Sequence, residues 1–92
     1  MNTFQLSCFL AVAEHLNFAR AAEELHVTQP AVTQQIHSLE KELGATLFQR
    51  TTRKVSLTAE GLAFLSDAQQ IQALTHRALD RFAHPQDQPF VP

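Results

Sequence analysis

Pro30, Gln34, His37 and Lys41 recur at steps of four, three and four residues, with Gln29 before them and Thr33 and Ser38 between. At helical period this places amides, hydroxyls and an imidazole on one side of a single helix. Such groups carry both donors and acceptors, which is what reading base edges in a major groove requires; a glutamine amide suits adenine. A solvated helix face would show the same polarity. A second set follows within a few residues: Arg50, Arg53 and Lys54 form the one tight basic group of the chain. On a turn beside such a helix they would meet phosphates or enter a narrow minor groove.

The elements that must hold these residues can be read from apolar spacing. The stretch from Asn17 to Leu43 reads as two helices joined by a turn. Phe18, Ala22 and Leu25 line the first, which Asn17 caps, and Ala19, Ala21 and Ala22 allow close approach of the second. Thr28 is the expected N-cap of that second helix and Pro30 sits in its first turn, where the missing donor costs nothing. Val32, Ile36, Leu39 and Leu43 form its buried stripe, opposite the polar face. Gly44 ends it, giving a recognition helix over about 29–43.

Before this pair, Thr3 is the expected cap of a helix running to His15, with Leu6, Phe9, Leu10, Ala13 and Leu16 on one face and Phe4, Cys8 and Val12 widening it. After Gly44 the period shortens. Ala45 to Arg50 and Lys54 to Leu57 read as a small hairpin, a wing over 47–57, with Leu47 or Phe48 and with Val55 and Leu57 anchoring its base. Thr58 then caps a long last helix reaching Phe82, with Glu60 at its positive end. Phe64, Ala68, Ile71, Thr75, Ala78 and Phe82 make a heptad seam broadened by Leu62, Leu65, Leu74 and Leu79. Phe64, Ala68, Ile71, Ala78 and Phe82 are therefore the expected dimerisation residues, although packing back on the same chain would use the same pattern. The tail from His84 holds three prolines and no period.

The expected fold is mainly α: a winged helix-turn-helix over 1–58, comprising three helices and a hairpin, followed by a linker or dimerisation helix over 59–83 and an unstructured end or linker over 84–92. Apolar residues make up 45% and charged ones 17% of the 92 residues, which excludes a disordered chain. With neither Trp nor Tyr, seven Phe supply the aromatic mass. The net charge of −2 is unusual for a nucleic-acid binder, so the placement of the basic group matters more than the sum. The acids Glu23, Glu24, Glu40 and Glu42 fall on expected helix exteriors. A lone Cys8, no leader pattern and no long apolar run point to a cytoplasmic protein with no membrane partner. There is no phosphate loop, CxxC pair or nucleophile beside a base, and the five His are scattered, so no enzyme activity, catalytic residue, metal site or cofactor in this segment is expected.

These residues, taken together, resemble a known family. Ala21 and Ala22, the TQPAVT run of Thr28 to Thr33, LEKELG ending at Gly44, LFQR from Leu47 and LTAEG ending at Gly61 are similar to the N-terminal domain of LysR-type transcriptional regulators. The resemblance spans nearly the whole chain. It implies a bacterial regulator bound to double-stranded operator DNA, a homodimer through the last helix, and a larger C-terminal domain, outside this chain, that takes a small-molecule inducer. A tetramer in the full-length protein and RNA polymerase as a further partner would accord with it. Gln29, Pro30, Thr33 and Gln34 would face the operator, with Arg50 and Arg53 on the wing. His37 and Lys54 join them by position and charge. Many members carry a basic residue at the place of Gln34, and often another near His37; neutral side chains here shift electrostatic work to the wing. Two other readings of the same elements are a stand-alone ligand-responsive winged-helix repressor and an interaction module that does not touch DNA.

Overall fold

The structure, a computed structural model, describes residues 1–83; the expected unstructured end at 84–92 lies outside the described residues. Its elements are α1 (Thr3–His15), α2 (Phe18–Leu25), α3 (Gln29–Leu43), β1 (Phe48–Arg50), β2 (Val55–Leu57) and α4 (Ala59–Ala83). This is the winged helix-turn-helix with a long last helix that the sequence leads one to expect.

Each helix end has a local cause. Asn17 accepts the Arg20 N–H at 3.0 Å and Thr28 Oγ1 accepts the Ala31 N–H at 3.2 Å, so both expected caps are in place. At the start of α1 the cap is Asn2, whose Oδ1 takes the Gln5 N–H at 2.7 Å. Thr3 is already helical, a correction of one position: the neighbouring carboxamide is the better N-cap group. Gly44 adopts φ +67° after α3, with its own N–H on Lys41 O and that of Ala45 on Glu40 O. That pairing closes the helix as a Schellman motif. Leu16 and His26 end α1 and α2 in the same left-handed region without being glycine.

The core is shared by all four helices and the hairpin. Phe9, Val12, Val32, Ile36, Leu39 and Leu47 are fully buried. Phenylalanine rings stitch the layers together. Phe9 lies 5.3 Å from Phe48 and 5.0 Å from Phe64, and Phe18 lies 5.9 Å from Phe48. Four elements thus meet through edge and tilted ring contacts, which add to area burial. Both Leu47 and Phe48 anchor the wing, whereas Phe4 and Leu16 are exposed.

β1 and β2 pair antiparallel, Phe48 with Leu57, Gln49 with Ser56 and Arg50 with Val55. The strands are shorter than the expected Ala45–Arg50 and Lys54–Leu57, because Ala45 closes α3 and the Leu47 N–H turns to a side chain instead. Thr51 organises the tip: its N–H bonds Lys54 O at 2.9 Å and its Oγ1 accepts the Lys54 N–H at 3.1 Å.

Thr58 Oγ1 accepts the Gly61 N–H at 2.9 Å and starts α4, as expected. The first turns of α4 lie against the core and the rest projects, so the molecule measures 57 × 26 × 19 Å. Ala68 is fully buried, and Phe64 and Ile71 pack half-buried on the same core. Three of the five expected dimerisation residues are therefore engaged within the chain. Their heptad spacing faces α1 first, to which Gln72 Nε2 also donates through Ser7 Oγ at 3.2 Å. Ala78 and Phe82 are exposed, together with Leu62, Leu74 and Leu79.

Candidate nucleic-acid interface

The outward side of α3 carries Gln29, Pro30, Thr33, Gln34, His37, Ser38 and Lys41 on one shallow surface. The five residues of this helix expected to face DNA, Gln29, Pro30, Thr33, Gln34 and His37, lie there together, with Ser38 and Lys41 beside them. A second hollow runs between the N-terminus of α2 and the wing, past Asn17, Ala19 and the Arg50 to Lys54 turn, and Gln29 borders this one too. The recognition face and the wing face are thus continuous.

Arg53 and Lys54 sit exposed at the hairpin tip. Arg50 does not join them. Its guanidinium lies 4.3 Å from the centroid of the Phe18 ring, and its Nη2 is 2.8 Å from Nε2 of His37. It stands at the last β1 position before the turn, opposite Val55, and connects three elements, a cation over an aromatic face beside an imidazole acceptor. Of the expected trio, Arg53 and Lys54 stand at the tip, and Arg50, exposed like them, also ties the wing to α2 and α3.

Glu40, expected on a helix exterior, is half-buried and does structural work. Its Oε2 accepts the Leu47 N–H at 2.7 Å and the Phe48 N–H at 3.4 Å, joining α3 to the wing from the side opposite the tip. Only one signal in the sequence hints at this: Glu40 comes one turn before a helix end that leads straight into a strand. Phe18 was legible as core, but nothing in its spacing marks it as a platform for Arg50.

On the far side of the domain, His15 Nε2 lies 2.7 Å from Glu24 Oε1, with Glu14 nearby. Among the described residues these three place one ligand-type atom each within 4.8 Å of one another. Arg20 lines the same surface hollow as His15 and Glu24 and disfavours a cation there. Cys8 is fully buried, and burial pushes its thiol from 9.0 up to about 11. No helix among the described residues is long and apolar enough to cross a membrane.

A helix-turn-helix whose second helix presents a polar face, continuous with a basic-tipped hairpin, defines the winged-helix class of nucleic-acid readers. Within that class the chain belongs to the bacterial regulatory helix-turn-helix proteins of the LysR family, whose sequence profile matches residues 4–62. It is 49% identical over 81 residues to the HTH-type transcriptional regulator TfdT of Cupriavidus pinatubonensis, covering 88% of this chain and 36% of that protein. Its backbone is similar to the CbnR_DBD–DNA complex at a TM-score of 0.86 and 46% identity, over 94% of this chain and 99% of that one. The complex of BenM_DBD with benA site 1 DNA matches at a TM-score of 0.86 and 32% identity, over 95% and 98% of the two chains. The chain spans roughly a third or a quarter of the length of the curated relatives it matches, at 36% and 26% for two of them.

Proposed function

We propose that this chain is the sequence-specific DNA-binding domain of a transcriptional regulator, with α3 in the major groove of an operator and the wing on the flanking backbone or minor groove. The observation that carries the reading is the continuity of the polar α3 face with the Arg53 and Lys54 tip through Gln29. Similarity to two domains solved with DNA supports it. Gln34, Thr33, Gln29 and Pro30 read bases, and Arg53 and Lys54 neutralise phosphates. Two copies join through the exposed end of α4, at Leu74, Ala78, Leu79 and Phe82. Inducer binding, in this reading, belongs to the part of the regulator beyond this chain.

The test separates reading from charge. Gln34→Ala costs about 1–3 kcal/mol at one operator position and relaxes preference there, because an amide can both donate and accept on an adenine edge. Arg53→Ala weakens binding to every duplex and lowers the log–log salt slope by about 0.9, the share of one phosphate. Selection of bound sequences from a random pool, with salt titrations, measures both. An unchanged base profile for Gln34→Ala would remove it from the groove, and an unchanged slope would remove Arg53 from the backbone.

A further inference from the structure

Arginine has five N–H donors and no acceptor, so the 2.8 Å contact from Arg50 Nη2 requires a lone pair on His37 Nε2. The imidazole is then neutral, with its proton on Nδ1. That is the minor tautomer of an unconstrained histidine, which favours the proton on Nε2. Phe18 holds the arrangement from below, its ring face 4.3 Å from the guanidinium carbon. His37 lies on the same shallow surface as Gln34 and Lys41, one helical turn from each.

We infer that Arg50 is a positioning residue for sequence reading: by locking His37 as the Nδ1–H tautomer, it makes this position of α3 a hydrogen-bond donor and nothing else. The inference rests on the placement of α3 in the major groove. A donor matches purine N7, guanine O6 or thymine O4, and it rejects the cytosine N4 amino group, which offers only a donor. An unlocked imidazole would exchange tautomers and accept from cytosine N4 or adenine N6 as readily as it donates. Arg50 thereby shapes base preference without touching a base, and it differs in kind from Arg53, whose effect is the same on every sequence.

The first arm needs no DNA. Long-range nitrogen-15 spectra of the 92-residue chain, at a pH where the imidazole is neutral, distinguish a protonated from a bare ring nitrogen. His37→Gln identifies the signal. The expected result is a proton on Nδ1 in the wild type and a shift towards Nε2–H in Arg50→Met, which keeps an apolar stem over Phe18 but has no donor. A wild-type ring protonated on Nε2 overturns the inference. The second arm selects bound sequences with Arg50→Met, His37→Ala and the pair combined. Each single change lowers preference at the same base pair by about 3- to 10-fold, the worth of one hydrogen bond, and the double change adds nothing further. If Arg50→Met instead weakens all duplexes equally and leaves the base profile intact, Arg50 is a phosphate contact and the inference falls alone. A wild type with no base preference sinks the groove placement and the inference together. Melting curves of the variants establish that each is folded before selection.

Discussion

Glu40 Oε2 accepts the backbone N–H of Leu47 at 2.7 Å, and this contact fixes how far the wing stands from the recognition helix. The carboxylate lies one turn beyond His37, which meets Arg50 on the same hairpin. The wing is thus tied to α3 at two successive turns, and its tip is ordered by Thr51. A face built this way is largely set before any partner arrives, which lowers the ordering cost of association.

Replacing Glu40 therefore tests the tie. Glu40→Ala leaves two part-buried N–H groups without their acceptor and lowers stability by about 1–3 kcal/mol in urea unfolding. Glu40→Gln keeps an oxygen in place and loses less, because a neutral acceptor bonds more weakly than a charged one. Amide exchange in β1 should quicken in the order wild type, Gln, Ala. Equal unfolding midpoints for all three would show that the wing is held by packing of Leu47 and Phe48 alone.

The two glycines answer to different forces. A Cβ on Gly61 would overlap the Leu47 carbonyl oxygen, which already receives the Thr58 N–H at 3.0 Å. Nothing lies within 4 Å of a Cβ at Gly44, whose constraint is its φ of +67° alone. Gly44→Ala thus costs about 1 kcal/mol of backbone strain, and Gly61→Ala more, since α4 must move off the wing by overpacking worth about 1–3 kcal/mol or above. Thermal melting ranks them. A Gly61→Ala midpoint above that of Gly44→Ala would mean that α4 slides away at little cost.

Much of this is legible in the sequence, for reasons that can be named. As helix caps, Asn17, Thr28, Gly44 and Thr58 act within three residues of themselves, so this part of their chemistry is local and follows from type and position. The polar face of α3 follows from period alone. Arg50, Glu40 and Phe18 are different: their partners lie 13, 7 or more residues away, and an exposed charge looks the same in sequence whether it meets solvent, phosphate or an imidazole. The α4 seam is ambiguous for a third reason. Heptad spacing says that one side is covered, and for Phe64, Ala68 and Ile71 the cover is this chain's own core.

That reassignment changes the substitution that probes association. Ile71→Asp would place a charge against the core and should unfold the domain. Leu79→Asp and Phe82→Asp alter side chains that are 66% and 77% exposed. They should release monomers in sedimentation while leaving the melting of the isolated domain nearly unchanged. A dimer that persists in both variants would move the interface to another surface.

Cys8 supplies a pH signature. It is fully buried, and its thiol is pushed from 9.0 up to about 11. Unfolding therefore releases a proton between these values: the stabilising difference is complete below about pH 9 and is lost as pH rises towards 11. Cys8→Ala should flatten that decline in urea midpoints measured from pH 8 to pH 11. It should also abolish the slow alkylation expected of a thiol that reacts only when the core opens. Alkylation of the folded wild type as fast as that of a free thiol would contradict the burial.

The 25 residues of α4 are long enough, at about 37 Å, to match one turn of duplex DNA, about 34–36 Å. Because the helix is pinned to its head at Gly61 and Ala68 and exposes its apolar side chains near the far end, it behaves as a spacer with a built-in bearing. Length along such a rod is also angle. Inserting one residue beyond Gln72 would push the exposed end about 1.5 Å further from the head and swing it by about 100°, whereas seven inserted residues would restore the bearing almost completely at a greater separation. Under the proposed pairing of two copies, the distance and the angular phase between their α3 faces follow from the residue count of α4.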